Sequence, residues 1–264
     1  MAYGGRVRST LRLLALCTLV CGLWAACSRN SGPATSAYLR QCGAIAAGAD
    51  DQVRALPALA MPARPVQPKD ATDEQQRVYE GLVRIYPLYV NQYHAAVMQR
   101  LQAIADQYGQ ALDRISSLDA AGVDPDGIQL VTDHVHLITE ERDFYGEVRS
   151  LADHNQTSLV RRNGVDEADD RLVAAFGAAI GDVAAAPGAV ASALRDAAGD
   201  LSRRKDEPFA VGEQAAKLAD RAGQLQRDRA GYQAESARLV AVLQARFPGQ
   251  DWGAYAPRPA APGK

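Results

Sequence analysis

The 264-residue chain predicts an all-α fold: an elongated, mostly antiparallel bundle of long helices with coiled-coil-like heptad packing. Three observations predict it. Apolar residues recur at spacings of three and four over most of positions 73–247, the signature of a helix burying one stripe. Period-two alternation of β-branched residues, the mark of a half-buried strand, is nearly absent. Aromatics make up only 6% of the chain while alanine is abundant, and small side chains let helices approach closely.

Residues 36–56 read as the first helix. Ser36 is an N-cap residue type, and Tyr38, Cys42, Ile45 and Val53 fall on one side. Pro57, Pro62, Pro65 and Pro68 follow. Proline fixes φ and disfavours helix in the residue before it, so residues 57–71 read as a semi-rigid strap.

A long helix then runs from Asp73 to Ile115, a rod of about 65 Å. Thr72 and Gln75 fit a capping box, and Asp73 and Glu74 suit the positive end of the helix dipole. Val78, Leu82, Ile85 and Tyr89 are spaced four, three, four; Val97, Leu101, Ile104 and Tyr108 repeat that spacing, and Ile115 falls on it again. This predicts a heptad seam. The two stripes slip by one position near Tyr93 and His94. Pro87 stands just before the slip; it has no N–H to give the Val83 carbonyl, so a bend is expected there.

Asp124-Pro125-Asp126-Gly127 is a turn signal. The next helix spans about 128–160 with two stripes: Ile128, Val131, Val135, Ile138 and Tyr145, interrupted by Arg142, and Leu130, Leu137, Phe144, Val148 and Leu151. A face that wide suits a bundle. From Asp166, the residues Val173, Phe176, Ile180, Val183, Pro187, Val190, Leu194, Ala197 and Leu201 keep one phase. This predicts a kinked but continuous helix to about Arg204; two helices meeting in phase is the alternative that Gly188 keeps open. Glu207-Pro208 opens the last helix, whose stripe is Val211, Ala215, Leu218, Ala222, Leu225, Tyr232 and Leu239, with Arg229 on the seam. Residues 248–264 contain Pro248, Pro257, Pro259 and Pro262 and read as a disordered tail, in which Trp252 and Tyr255 are candidates to dock on the bundle or a partner.

The start of the chain speaks to compartment. Arg6, Arg8 and Arg12 precede an apolar run from Leu13 to Trp24, too short for a comfortable membrane span, and Ala25-Ala26-Cys27 follows. This pattern is a secretory signal, and its end resembles the bacterial lipobox. Ala25, Ala26 and Cys27 match that motif; Trp24 stands where leucine is usual. The resemblance implies removal of residues 1–26 and acyl chains of the palmitate kind on Cys27, then a tether over 27–35 and the bundle over 36–247. Several acyl chains anchor stably, because each buried methylene adds about 0.8 kcal/mol. Soluble export and an uncut signal anchor are the rival readings. Ser28 after the cysteine implies the outer membrane rather than the inner, with the domain facing the periplasm.

Removing the signal takes Arg6, Arg8 and Arg12 from the 29 basic residues, leaving 26 against 31 acidic, a net charge of −5. With no basic excess and no nucleic-acid motif, nucleic-acid binding is disfavoured. Cys42 is then the one cysteine besides the anchor; on the apolar stripe it reads as a buried inert thiol rather than a reactive one.

Two candidate sites stand against plainer readings. Tyr86, Tyr89, Tyr93 and His94 surround the expected bend and could line a small aromatic ligand cleft; tyrosines at helical spacing more often pack at a core edge with their hydroxyls in water. Asp133, His136 and Glu140 share a helical face and are weak metal candidates, but one helix supplies too few ligands for a closed site. His134 and His136 point in different directions. There is no Cys-x-x-Cys-His, no Gly-rich phosphate loop and no Gly-x-Ser-x-Gly elbow. The prediction is a protein without cofactor and without enzymatic activity.

One family resemblance follows from the order of these features: lipobox, short helix ending Leu56-Pro57, Thr72-Asp73-Glu74-Gln75, a tyrosine-rich helix, then Phe176 and Pro187 in an alanine-rich stretch. That order resembles the YiaF-like lipoproteins, a Gram-negative family with a domain of unknown function. It spans most of the mature chain, although the proline strap here is longer. The resemblance implies an envelope location and brings no substrate or catalytic residue. The expected function is a membrane-anchored envelope lipoprotein acting through protein–protein contact; the alternative is a small-molecule or lipid-binding bundle using the tyrosine-lined cleft.

Overall fold

The computed structural model describes residues 31–162, 164–181, 186–203, 210–252 and 255. Among them there are six helices and no strands: α1 Ser31–Ala55, α2 Asp73–Ser116, α3 Pro125–Arg162, α4 Glu167–Gly181, α5 Ala186–Leu201 and α6 Val211–Arg246. The all-α bundle is therefore as the sequence predicts. The expected signal segment, Cys27, Val183 and Glu207-Pro208 lie outside the described residues.

Helix α1 starts at Ser31, so residues 31–35 are helix rather than tether. Tertiary contact explains the extra turn. The Thr35 hydroxyl donates to the Ser31 carbonyl at 2.7 Å and accepts from the Asp124 N–H at 2.8 Å. Gly32 lies against Phe247 so closely that a Cβ there would stand 3.0 Å from the ring.

Helix α2 has the expected capping box. The Gln75 N–H donates to the Thr72 hydroxyl at 3.3 Å, and the Thr72 N–H donates to the Gln75 side chain at 2.9 Å. Helix α3 begins at Pro125, three residues before the expected start. The Asp124 carboxylate accepts from the Asp126 N–H at 3.0 Å, and proline sits comfortably just inside a capped start.

The expected kinked helix over 166–204 is instead two helices, α4 and α5, packed on each other. An ion pair between Arg171 near the start of α4 and Asp200 near the end of α5 shows that they run antiparallel. Pro187 is the second residue of α5, so it opens a helix rather than kinking one. Both helices bury their part of the stripe: Val173, Phe176, Ile180, Val190, Leu194, Ala197 and Leu201 are all buried. The unbroken phase reflects two faces looking into one core. Asp166 and Asp169 cap α4 reciprocally, each carboxylate accepting from the other residue's N–H at 3.1 and 2.9 Å.

Helices α3 and α6 are antiparallel along their length, as paired contacts show: Asp124 with Arg246, His134 with Tyr232, Glu141 with Arg229 and His154 with Gln214. Helix α6 begins after Ala210, which takes a left-handed conformation at φ 48°. Gly212 permits the tight join with α5, since a Cβ there would lie 2.5 Å from the Ser202 nitrogen.

The start of the expected disordered tail is folded onto the bundle. Trp252 and Tyr255 are buried. The Ser36 hydroxyl donates to the Asp251 carbonyl at 3.1 Å, and the Tyr255 hydroxyl bonds His134 Nδ1 at 2.8 Å. Two large aromatic side chains remove enough apolar surface from water to hold this short stretch. No helix among the described residues is long and apolar enough to cross a membrane.

Candidate functional site

The two halves of α2 hold the features that the rest of the bundle does not absorb. From Tyr86 onward one stripe is buried without a slip: Tyr86, Val90, Tyr93, Val97, Leu101, Ile104, Tyr108, Ala111 and Ile115. Its spacings are three and four throughout. The expected seam of Val78, Leu82, Ile85 and Tyr89 lies one position off this stripe and faces water, at 59%, 45%, 39% and 48% exposure. Leu88, on the flank of that face, is 57% exposed. The buried phase thus runs through Tyr86 rather than Tyr89, and the apparent slip marks two different faces of one helix.

The four residues of the expected aromatic cleft are split by this geometry. The Tyr86 hydroxyl donates to Asp170 Oδ1 at 2.7 Å. The Arg64 guanidinium, from the strap, bonds the same carboxylate and stands 5.6 Å over the Tyr86 ring. Tyr86 therefore pins the strap to the start of α4; burial and the neighbouring carboxylate push its phenol pKa up. Tyr93 is buried against α4, its hydroxyl lying where a side chain at Gly177 would begin. His94 is fully buried, edge-on to Phe176 with ring centroids 5.8 Å apart. Its Nδ1 lies 3.1 Å from the Val90 carbonyl, which can only accept, so Nδ1 carries the proton; Nε2 accepts from the Asn155 amide at 3.2 Å. Burial lowers its pKa and keeps the ring neutral. Tyr89 faces the other way. Tyr86, Tyr93 and His94 are packed in the core while Tyr89 is exposed, and the four do not line one cleft.

A polar layer crosses the bundle at mid-height, formed by α1, α2, α3 and α6. Arg229 donates to Glu141 at 2.6 Å, and the Tyr108 hydroxyl donates to Asp50 at 3.3 Å. Burial pushes the Glu141 carboxyl up, and the Arg229 charge opposes that. Sequence reasoning marked Arg229 on its seam but missed Glu141. The signal was present: Glu141 falls between Leu137 and Phe144 on an apolar stripe. Asp124, also missed, is buried and takes two bonds from Arg246 at 2.6 and 2.8 Å. Cys42 is buried as expected, and burial raises its thiol pKa to about 11.

The three metal candidates are not gathered into a site. His136 is exposed, Asp133 accepts from Gln129 at 2.6 Å, and Glu140 pairs with Arg221. Among the described residues no group of three or more histidine, cysteine, aspartate or glutamate side chains is arranged to hold a metal ion. Cys27, the expected lipidation site, lies outside the described residues. No protein-family model, curated protein or solved structure matches the chain.

Proposed function

We propose that this protein is an envelope lipoprotein, anchored through acyl chains on Cys27, whose helical bundle serves as a structural or adapter element by contact with protein. The observation that carries this reading is the position of α1. Its first described residue, Ser31, stands four residues after the lipobox-like cysteine. Four residues reach at most about 14 Å, so lipid on Cys27 would hold the end of the bundle against the bilayer. That end contains the start of α1, the turn between α2 and α3, and the end of α6. Helix α2 points its first half away from it.

Two further features support a non-catalytic role. Buried charges are paired within the fold: Glu141 with Arg229, Asp124 with Arg246 and Asp169 with Arg162. The buried His94 is engaged on both ring nitrogens. Among the described residues, Val78, Leu82, Ile85 and Tyr89 form an exposed apolar helix face, which suits contact with protein rather than reaction chemistry.

The experiment is membrane fractionation with intact-mass measurement of wild type and Cys27→Ser. The expected wild type begins at Cys27, carries acyl mass and sediments with membranes, while the variant is released or unprocessed. An unmodified, soluble wild-type protein overturns the reading.

A further inference from the structure

We propose that the exposed stripe at the start of α2 is a homodimer interface, in which residues 75–92 of two copies pack antiparallel about a two-fold axis between positions 83 and 84. The inference does not rest on lipidation.

The stripe reads four, three, four in either direction, so an antiparallel pair sets Val78 against the partner's Tyr89 and Leu82 against the partner's Ile85. Such a contact is self-complementary, as an isologous interface requires. The flank fits as well. Leu88 and Gly81 lie on the same side of the stripe, seven residues apart. Antiparallel packing brings Leu88 of one copy over Gly81 of the other, and a Cβ at Gly81 meets nothing within 4 Å in its own chain. A parallel pair would bring the partner's Tyr86 side to this flank, and Tyr86 is already buried in its own bundle.

The extent of the stripe also selects the antiparallel arrangement. Continuing the same line beyond Tyr89 meets Gln92, Ala96, Gln99, Ala103 and Asp106. A parallel pair would run along this polar line and set Asp106 against its own copy, a like-charge layer. The antiparallel pair ends where the apolar residues end, with Gln75 opposite Gln92, and leaves the two bundles on opposite sides of the overlap.

The size of the face sets the expected affinity. Val78, Leu82, Ile85, Leu88 and Tyr89 together leave on the order of 400 Å² of apolar side chain in water, at the scale of patches that mark interaction sites. Doubled and joined by the flanking polar atoms, this gives roughly 1,000–1,200 Å², the low end for a specific interface. The dimer is therefore expected to be reversible, with a dissociation constant on the order of micromolar.

The test uses the purified full chain in sedimentation velocity over a concentration series, with Ile85→Glu as the breaking variant. Val160→Glu, at a residue 62% exposed outside the stripe, is the control. Wild type and Val160→Glu should pass from monomer to dimer together, and Ile85→Glu should raise the dissociation constant at least tenfold. A photocrosslinking amino acid in place of Val78 then reads the direction. Trypsin cuts after Arg77, Arg84 and Arg100, so antiparallel pairing attaches it to the partner's 85–100 peptide and parallel pairing to the 78–84 peptide. A wild type that remains monomeric to about 100 µM overturns the proposal. So does a dimer that Ile85→Glu leaves intact, or crosslinking to 78–84. Stripe-dependent binding to liposomes by a monomeric chain also overturns it, in favour of a lipid surface.

Discussion

The two halves of α2 carry the same spacing of apolar residues and opposite burial. Val97, Leu101 and Ile104 are completely removed from water, while Val78, Leu82 and Ile85 keep between 39% and 59% of their exposure. Spacing specifies that a stripe exists. It does not specify which stripe the neighbouring helices cover. That choice follows from where α3 and α4 lie against α2, and their cover begins at Tyr86. The lesson is that a slip in a heptad pattern has two causes, a bend or a change of face.

The largest expected effect tests the contrast directly. Leu101→Ala should cost about 3–4 kcal/mol in urea unfolding, because it empties a filled core, while Leu82→Ala, measured at protein concentrations low enough to keep the chain monomeric, should change stability by no more than about 0.5 kcal/mol. Equal losses would show that the first half of α2 is buried in solution. A second comparison moves to the polar layer that only the buried half meets. Glu141→Gln removes a buried carboxylate charge from beside Arg229 and should lower stability by about 2–3 kcal/mol; the same change at Glu80, on the exposed half, should do nothing measurable.

Acid should act through the buried histidines, one on the buried half of α2 and one on α3. The pKa of His94 is lowered by burial, and that of His134, under the tail, is pushed down to about 4. A histidine depressed in the folded state lends stability that is fully present above its unfolded value of 6.5 and is lost as pH falls from there through the folded value. Between pH 6.5 and 5.5 the loss from His134 should be about 1 kcal/mol, and His134→Asn should flatten the pH profile of unfolding over that range. The smallest effect belongs to the join between the halves. Pro87→Ala supplies the N–H that the Val83 carbonyl lacks and should raise stability by up to about 1 kcal/mol, with slower amide exchange over residues 82–87.

The helices, the capping box at Thr72 and the buried thiol of Cys42 were legible because each depends on local spacing or on one residue type. Three features were not. The first turn of α1 depends on Thr35 meeting Asp124 and Gly32 meeting Phe247, contacts that local propensity does not encode. The break between α4 and α5 was hidden because both helices bury their stripe in one core, which preserves the phase across the join. The aromatic cleft failed as a geometric reading because Tyr89 and Tyr86, three residues apart, lie on either side of the boundary between water and core. Glu141 was readable in principle, as a charge inside an apolar stripe that required a partner.

The clasp on the first turn of α1 has a consequence for how the chain reaches its native state. Ser36 bonds Asp251 across 215 positions of sequence, and Gly32 rests on Phe247. The earliest part of the bundle thus completes its packing only after nearly the latest part has been made. Contacts of such long sequence separation close late and slow folding, since loop entropy must be overcome before they form. A chain emerging from a ribosome or an export channel can pair α2 with α3 early, but α1 must wait for residues 247–251. Loss of those residues would leave its first turn exposed, an open end that distinguishes an unfinished molecule from a complete one.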